Sequence, residues 1–114
     1  MRKPGDGLDP RSFHILVVLA GRPLHGYAIR QEVEERTGGA VRLWPATLYG
    51  ALAELTAQGL IEETSGPAEE PADARSRRWY SLTAAGRRAL WEEAARLEKL
   101  ARLARRRLGL WEAT

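Results

Sequence analysis

The chain has 114 residues, 44% of them hydrophobic, which is typical of one globular domain, and its lack of cysteine excludes disulfides, thiolate metal sites and cysteine nucleophiles. Lys and Arg outnumber Asp and Glu by 18 to 15, and an arginine-rich chain of this kind favours a polyanionic partner. The longest apolar run, at residues 15–20, is too short to span a membrane and the N-terminus lacks the apolar segment of a signal peptide, so we expect a cytoplasmic protein with no membrane partner.

A first helix is predicted from about residue 10 to residue 20. Asp9 can accept the free backbone N–H groups of a helix start, and Pro10 has no N–H to leave unpaired. Apolar residues recur at helical spacing after Pro10, and Gly21 is expected to end the helix with a positive φ. Residues 1–8 are therefore expected to be a flexible N-terminus that precedes the folded domain.

Two more helices are predicted in the first half of the chain. The second follows a turn at residues 22–24 and ends at Gly38–Gly39. The third begins at Pro45 and ends at Gly59, because proline suits a first helical turn and glycine a helix end. The spacing i, i+3, i+4, i+7 predicts its buried face, which consists of Leu48, Ala51, Leu52 and Leu55.

The periodicity then changes from helical to extended. Residues 60–64 and 79–82 are predicted to form a β-hairpin around a long loop at residues 65–76. We expect the acidic tip of this loop to turn away from a polyanion and its arginine-rich end to remain close. Thr83 is predicted to cap a last helix that continues to about Leu108.

The element order ααα-ββ-α is that of a winged helix-turn-helix. The predicted fold class is therefore mostly α, with a small β-hairpin and a long C-terminal dimerisation helix. The expected division is residues 9–82 for the winged helix-turn-helix domain and residues 83–110 for the C-terminal helix.

In a helix-turn-helix, the second helix of the motif lies in the DNA major groove. Here that helix begins at Pro45, and its outer face is small apart from Tyr49, so its backbone can approach a duplex closely. The arginines before the second hairpin strand suit a phosphate or a narrow minor groove. Tyr49 could equally be a rim residue of the core, and the arginines a solvated strand end. The candidate DNA-binding residues are His25, Tyr27, Ala46, Thr47, Tyr49, Gly50, Arg75, Arg77 and Arg78.

Several short segments, in matching order and spacing, resemble the PadR-like transcriptional regulators. They are His25-Gly26-Tyr27, Glu35-Arg36-Thr37-Gly38-Gly39, Pro45-Ala46-Thr47-Leu48-Tyr49, Gly59-Leu60-Ile61-Glu62 and Arg78-Trp79-Tyr80. The resemblance implies a dimeric repressor of double-stranded DNA that responds to a small flat or hydrophobic effector. Trp44 departs from it, because relatives often have a small polar capping residue there, and losing that cap costs on the order of 1 kcal/mol. Ala46 and Gly50 also stand where Gly and Pro are frequent.

The last helix carries an apolar seam in steps of four and three, which is typical of a helix that packs along another helix. A helix this long cannot bury its seam on a three-helix domain, so the seam predicts a homodimer that binds a palindromic operator. A solvated helix on its own domain and a membrane-surface helix are the alternatives. The candidate interface residues are Phe13, Leu90, Ala94, Leu97, Ala101, Ala104 and Leu108, with Trp111 at the end of the seam.

Trp91 lies beside this seam and Phe13 lies on the helix expected to pack nearby. The pair is a candidate lining for an aromatic or hydrophobic effector, although ordinary interface packing also explains both residues. The only histidines, His14 and His25, belong to no metal motif, and there is no phosphate-binding loop, so we expect neither an enzyme nor a cofactor. The alternative function is a winged helix that binds protein without binding DNA, because the fold hosts both activities.

Overall fold

The structure is a computed structural model that describes residues 7–109. The three helices, the hairpin and the long last helix confirm the predicted winged helix-turn-helix. A two-residue strand and a one-turn helix were not predicted; they lie where the sequence indicates a turn and a loop. In chain order the elements are α1 (Pro10–Leu19), β1 (Leu24–His25), α2 (Gly26–Arg36), α3 (Pro45–Ala57), β2 (Ile61–Thr64), α4 (Ala72–Arg75), β3 (Trp79–Leu82) and α5 (Ala84–Leu108).

Side-chain caps begin the first and last helices, as predicted. The Asp9 carboxylate accepts the backbone N–H of Ser12 at 3.0 Å. The Thr83 hydroxyl accepts the N–H of Gly86 at 3.0 Å and donates to the Gly59 carbonyl at 2.6 Å, which ties the start of α5 to the end of α3. A cap of this kind stabilises a helix by about 1 kcal/mol.

Glycines with positive φ follow α2 and α3, as predicted, at Gly38–Gly39 and Gly59. The same prediction for Gly21 is wrong, because its φ is not positive. Helix α1 ends at Leu19, and the N–H of Ala20, directly after it, is shared between two carbonyls of the preceding turn at 3.0 and 3.2 Å. This tightened turn satisfies the end of the helix, so the next residue needs no left-handed backbone.

The core lies between the first three helices and the sheet. The predicted buried face of α3 is confirmed, since Leu48, Leu52 and Leu55 are at most 2% exposed and Ala51 is partly buried. Leu8, in the segment expected to be flexible, packs against this core. Full burial of one such aliphatic side chain contributes about 1.5–3 kcal/mol. The other fully buried large side chains are Ile15, Leu16, Leu19, Ile29, Val33, Leu43 and Ile61.

The sheet is antiparallel in the order β1-β3-β2, so the second wing strand lies at its centre. Leu24 pairs with Tyr80, and Ile61 pairs with Leu82. Helix α5 starts very close to this sheet: a Cβ added at Gly86 would lie 2.0 Å from the Leu60 carbonyl oxygen. Only glycine allows so close an approach between the start of α5 and the sheet.

Helix α5 has 25 residues, which corresponds to a length of about 37 Å. Its first part packs on α1 and buries Ala89 and Glu93. Beyond Glu93, every described residue of the helix is exposed or half-buried, and Leu97, Leu100 and Leu108 are 38%, 48% and 55% exposed. The apolar seam therefore has little cover within residues 7–109. Within that same range, no helix combines the length and the apolar character that crossing a membrane requires.

Candidate nucleic-acid interface

An open cleft of about 750 Å³ lies between the start of α2, the outer face of α3 and the base of the wing. Five of the nine candidate DNA-binding residues line it, although they come from three separate parts of the sequence. The two tyrosines among them are well exposed, Tyr27 by 59% and Tyr49 by 50%, so neither is a residue of the core. The five residues are His25, Tyr27, Tyr49, Arg77 and Arg78, and Gly26 completes the lining.

The other four candidates lie around this cleft without lining it. Ala46 and Gly50 are exposed on α3, and Thr47 is half-buried in the first turn of the same helix. Arg75 is exposed at the last position of α4. The small residues leave the outer face of α3 flat beside Tyr49, and this flatness is compatible with a close approach to a duplex.

Gly26 has a role in this cleft that the sequence did not indicate. A Cβ at this position would lie 2.9 Å from the Tyr49 hydroxyl and 3.3 Å from two ring carbons. The phenol of Tyr49 therefore rests on the glycine at the start of α2, and the absence of a side chain there sets where the phenol points. The one sequence signal that could have identified Gly26 as a site residue is its position in the His25-Gly26-Tyr27 segment.

His25 caps α2 through its ring. Its Nδ1 accepts the N–H of Ala28 at 3.2 Å, so the proton of the neutral imidazole is on Nε2, where it can be donated. The ring meets Trp79 edge-on at 5.0 Å between centroids. Burial lowers the pKa of His25, the positive charge of Arg77 lowers it further, and the negative charge of Glu70 opposes the shift. At neutral pH the residue is therefore an uncharged donor that lines the cleft.

The two wing arginines of the cleft differ in their partners. The Arg78 guanidinium lies 3.4 Å from the Glu63 carboxylate across the hairpin. Burial raises the pKa of Tyr80, and a hydrogen bond with Arg78 opposes that shift. Arg77 has no carboxylate within 4.0 Å among the described residues, so its charge is available to a ligand.

The wing tip folds back onto the hairpin. The Trp79 indole N–H donates to the Ala74 carbonyl of α4 at 2.8 Å, and the loop at Gly66 is so close that a Cβ would lie 2.6 Å from the indole nitrogen. Trp79 is consequently only 4% exposed. That the acidic tip turns away from DNA stays a prediction. The Trp79 indole thus holds α4 against the hairpin, and its ring also meets His25 edge-on.

A second, more apolar groove of about 420 Å³ runs between α1 and α5. Phe13 and Trp91, the two candidate effector-lining residues, both line it, together with Arg87. Trp91 is 78% exposed, so most of its indole is free to contact something outside this chain. The remaining lining residues are Val17, Ala20, Leu90 and Ala94.

The candidate dimer residues divide into two groups along α5. Leu90 and Ala94 are half-buried in the groove against α1. The later seam residues Leu97, Ala101, Ala104 and Leu108 are exposed on the free part of the helix. Trp111 lies outside the described residues.

The fold and the aromatic and basic cleft between helix-turn-helix and wing define a winged-helix regulator. Residues 15–92 match the model of the "Transcriptional regulator PadR-like family", and the chain belongs to that family. Membership confirms the prediction of a transcriptional regulator rather than an enzyme.

Individual relatives agree with this assignment. The chain is similar to "Transcriptional regulator Rv3488" of Mycobacterium tuberculosis, with 39% identity over 78% of this chain and 77% of that protein. It is 43% identical, over 75% of its length, to an uncharacterized 37.1 kDa protein of transposon TN4556 from Streptomyces fradiae, but it spans only 22% of that protein. A crystal structure of a PadR family transcription regulator from Clostridium difficile superposes with a TM-score of 0.74 at 25% identity, covering 89% of this chain and all of that one.

Proposed function

We propose that this protein binds operator DNA sequence-specifically as a homodimer and represses transcription until a small ligand binds. The observation that carries the DNA-binding part is the cleft, in which aromatic, basic and hydrogen-bond-donating side chains of the helix-turn-helix and the wing share one open surface. Membership of a family of transcriptional regulators supports the regulatory part. Because such a regulator must reach the chromosome, we expect it to act in the cytoplasm.

In this proposal residues 9–82 bind the duplex, with α3 in the major groove. Tyr49 and Thr47 contact base edges, and the small residues Ala46 and Gly50 allow the helix to approach closely. Phosphate contacts come from the wing and from the start of α2, where positive charge and N–H or O–H donors are available. The residues assigned to phosphates are His25, Tyr27, Arg75, Arg77 and Arg78.

Residues 83–110 are the dimer arm of the proposal. The support is the run of exposed leucines on the free part of α5, interrupted by Ala101 and Ala104, whose small side chains allow two helices to approach closely. A two-fold dimer would present its two α3 helices about 34 Å apart, which requires a palindromic operator. Light scattering should give a dimer for the wild type and a monomer for Leu97→Asp. Lys99→Asp, on the opposite side of the helix, is the matched control and should remain dimeric.

The groove lined by Phe13 and Trp91 is the proposed effector site. Its lining is mostly apolar, and the exposed indole offers a face on which a flat hydrophobic or aromatic compound can stack. Trp91→Ala should therefore abolish ligand-induced release of DNA while leaving ligand-free DNA binding intact. Loss of both activities together would assign Trp91 to dimer packing instead.

The experiment that tests DNA binding is selection of bound fragments from the genomic DNA of the source organism. The purified wild type should recover a palindrome, and Tyr49→Ala and the double change of Arg77 and Arg78 to Ala should lose it. Arg88→Ala, which removes an exposed arginine of α5 that does not line the cleft, is the control for the loss of positive charge. If a verified dimer recovers no specific fragment at low salt, DNA recognition is refuted.

The second candidate function is binding of a protein partner through the same winged helix. It is favoured by the exposed aromatic side chains, because tyrosine and tryptophan are enriched in protein interfaces. Salt distinguishes the two functions: phosphate binding weakens steeply as ionic strength rises, whereas an apolar protein interface responds little.

A further inference from the structure

Trp44 stands directly before α3, at the position where a small polar side chain would cap the helix. Its backbone is extended, at φ −64° and ψ 153°, and its side chain makes no capping hydrogen bond. The indole is 58% exposed, beside the helix that the proposed function places in the major groove. The side chain therefore neither caps the helix nor enters the core, and its contacts show what it does instead.

Trp44 holds an arginine of α2. The guanidinium carbon of Arg30 lies 5.4 Å from the centroid of the Trp44 ring, within the range of a cation–π interaction. Among the described residues, Arg30 has no carboxylate within 4.0 Å, and so its charge is held in place without being neutralised. Three other arginines of the same domain are each paired with a glutamate: Arg36 with Glu32, Arg42 with Glu34 and Arg78 with Glu63.

Arg30 also lies on the side of α2 that borders the cleft. Residues three apart on a helix are neighbours on its surface, so Arg30 follows Tyr27, which lines the cleft, one turn further along α2. An aromatic ring covers only one face of a guanidinium. The N–H donors at the edge of the plane remain available, in the forked arrangement that suits a phosphate.

We propose that Arg30 binds a backbone phosphate of the DNA and that Trp44 is the positioning residue that holds its guanidinium for this contact. The inference rests on the proposed DNA-binding function and extends the contact surface from the cleft along α2 to the start of α3. In this inference Trp44 holds the guanidinium of Arg30 by a cation–π contact and does not cap α3.

The test uses a fluorescent 30-base-pair duplex of random sequence, because phosphate contacts operate without an operator. Its dissociation constant is measured by anisotropy over a salt series for the wild type, Arg30→Ala, Trp44→Ala, the double variant and Trp44→Phe. Each phosphate contact contributes about 0.9 to the slope of log affinity against log salt, so Arg30→Ala should lower the slope of a dimer by about 1.8. Trp44→Ala should lower it in part, and Trp44→Phe should restore it. The double variant should equal Arg30→Ala alone.

Additive effects of Trp44→Ala and Arg30→Ala would overturn the positioning role. An unchanged slope in Arg30→Ala, with Arg77→Ala still lowering it, would overturn this inference and leave the proposed function intact. If the wild type does not bind the duplex even at low salt, both fail together. Arg36→Ala, which removes an ion-paired arginine of the same helix, is the matched control and should change the slope less than Arg30→Ala. Thermal melts identify variants that fail to fold, and Trp44→Phe keeps an aromatic face where Trp44→Ala does not.

Discussion

Arg77 and Arg78 are neighbours in sequence and both line the cleft, yet the structure predicts different contributions to DNA binding. Arg77 has no carboxylate partner among the described residues, whereas Arg78 is paired with Glu63 at 3.4 Å. A guanidinium already neutralised by a carboxylate replaces fewer counterions on a phosphate than a free one does. Arg77→Ala should therefore reduce the salt dependence of binding more than Arg78→Ala.

The magnitude follows from counterion release. One lost phosphate contact in each protomer of a dimer lowers the slope of log affinity against log salt by about 1.8. Over a fourfold rise from about 50 to about 200 mM salt, the affinity deficit of Arg77→Ala should shrink about 12-fold, since 4 raised to 1.8 is about 12. The assay is the titration of a labelled operator duplex at several salt concentrations.

Glu63→Gln provides the control, because it removes the partner charge and leaves Arg78 free. In that background Arg78→Ala should lower the slope as much as Arg77→Ala does in the wild type. Equal slopes for the two single variants in the presence of Glu63 would refute the assignment of the ion pair as the cause.

Three further predictions concern close contacts of the fold. Gly86→Ala should lower the free energy of unfolding by about 3 kcal/mol in a denaturant titration, because the new Cβ would lie 2.0 Å from the Leu60 carbonyl oxygen; wild-type stability would contradict this. Gly26→Ala should displace only the movable phenol of Tyr49, so we expect weaker operator binding by about 1 kcal/mol with a nearly unchanged melt, and equal losses in both assays would argue otherwise. Because burial lowers the pKa of His25 below its ordinary value of 6.5, the stabilisation by the neutral ring is present above pH 6.5 and is lost as the pH falls below it. His25→Asn retains a capping oxygen without this titration, so its melting temperature should fall less than that of the wild type between pH 7.5 and 5.5; parallel curves would exclude His25 as the cause.

The helix starts show how far local chemistry reaches. Asp9 and Thr83 cap their helices because each side chain bonds a backbone N–H only three residues away, and such bonds depend on little else. Helix ends have more than one local solution. A glycine after α1 suggested a left-handed residue, but the Ala20 N–H, shared between two carbonyls of the preceding turn, ends α1 without one. The two-residue strand β1 is defined by its pairing with β3, which lies far along the chain, so its own sequence carried no signal.

The candidate site divides in the same way. The sequence indicated the candidate DNA-binding residues through three features: the order of elements, the small outer face of α3 and the arginines before β3. These features depend only on periodicity and composition. Long-range packing alone decided that Tyr49 rests on Gly26, that Glu63 neutralises Arg78, and that the Trp79 ring meets His25. The pairing of Trp44 with Arg30 belongs to this second group, since it joins residues fourteen positions apart, one on α2 and the other directly before α3. Sequence patterns report which face of an element is buried, whereas the partner that a particular side chain meets depends on how elements distant in the chain pack together.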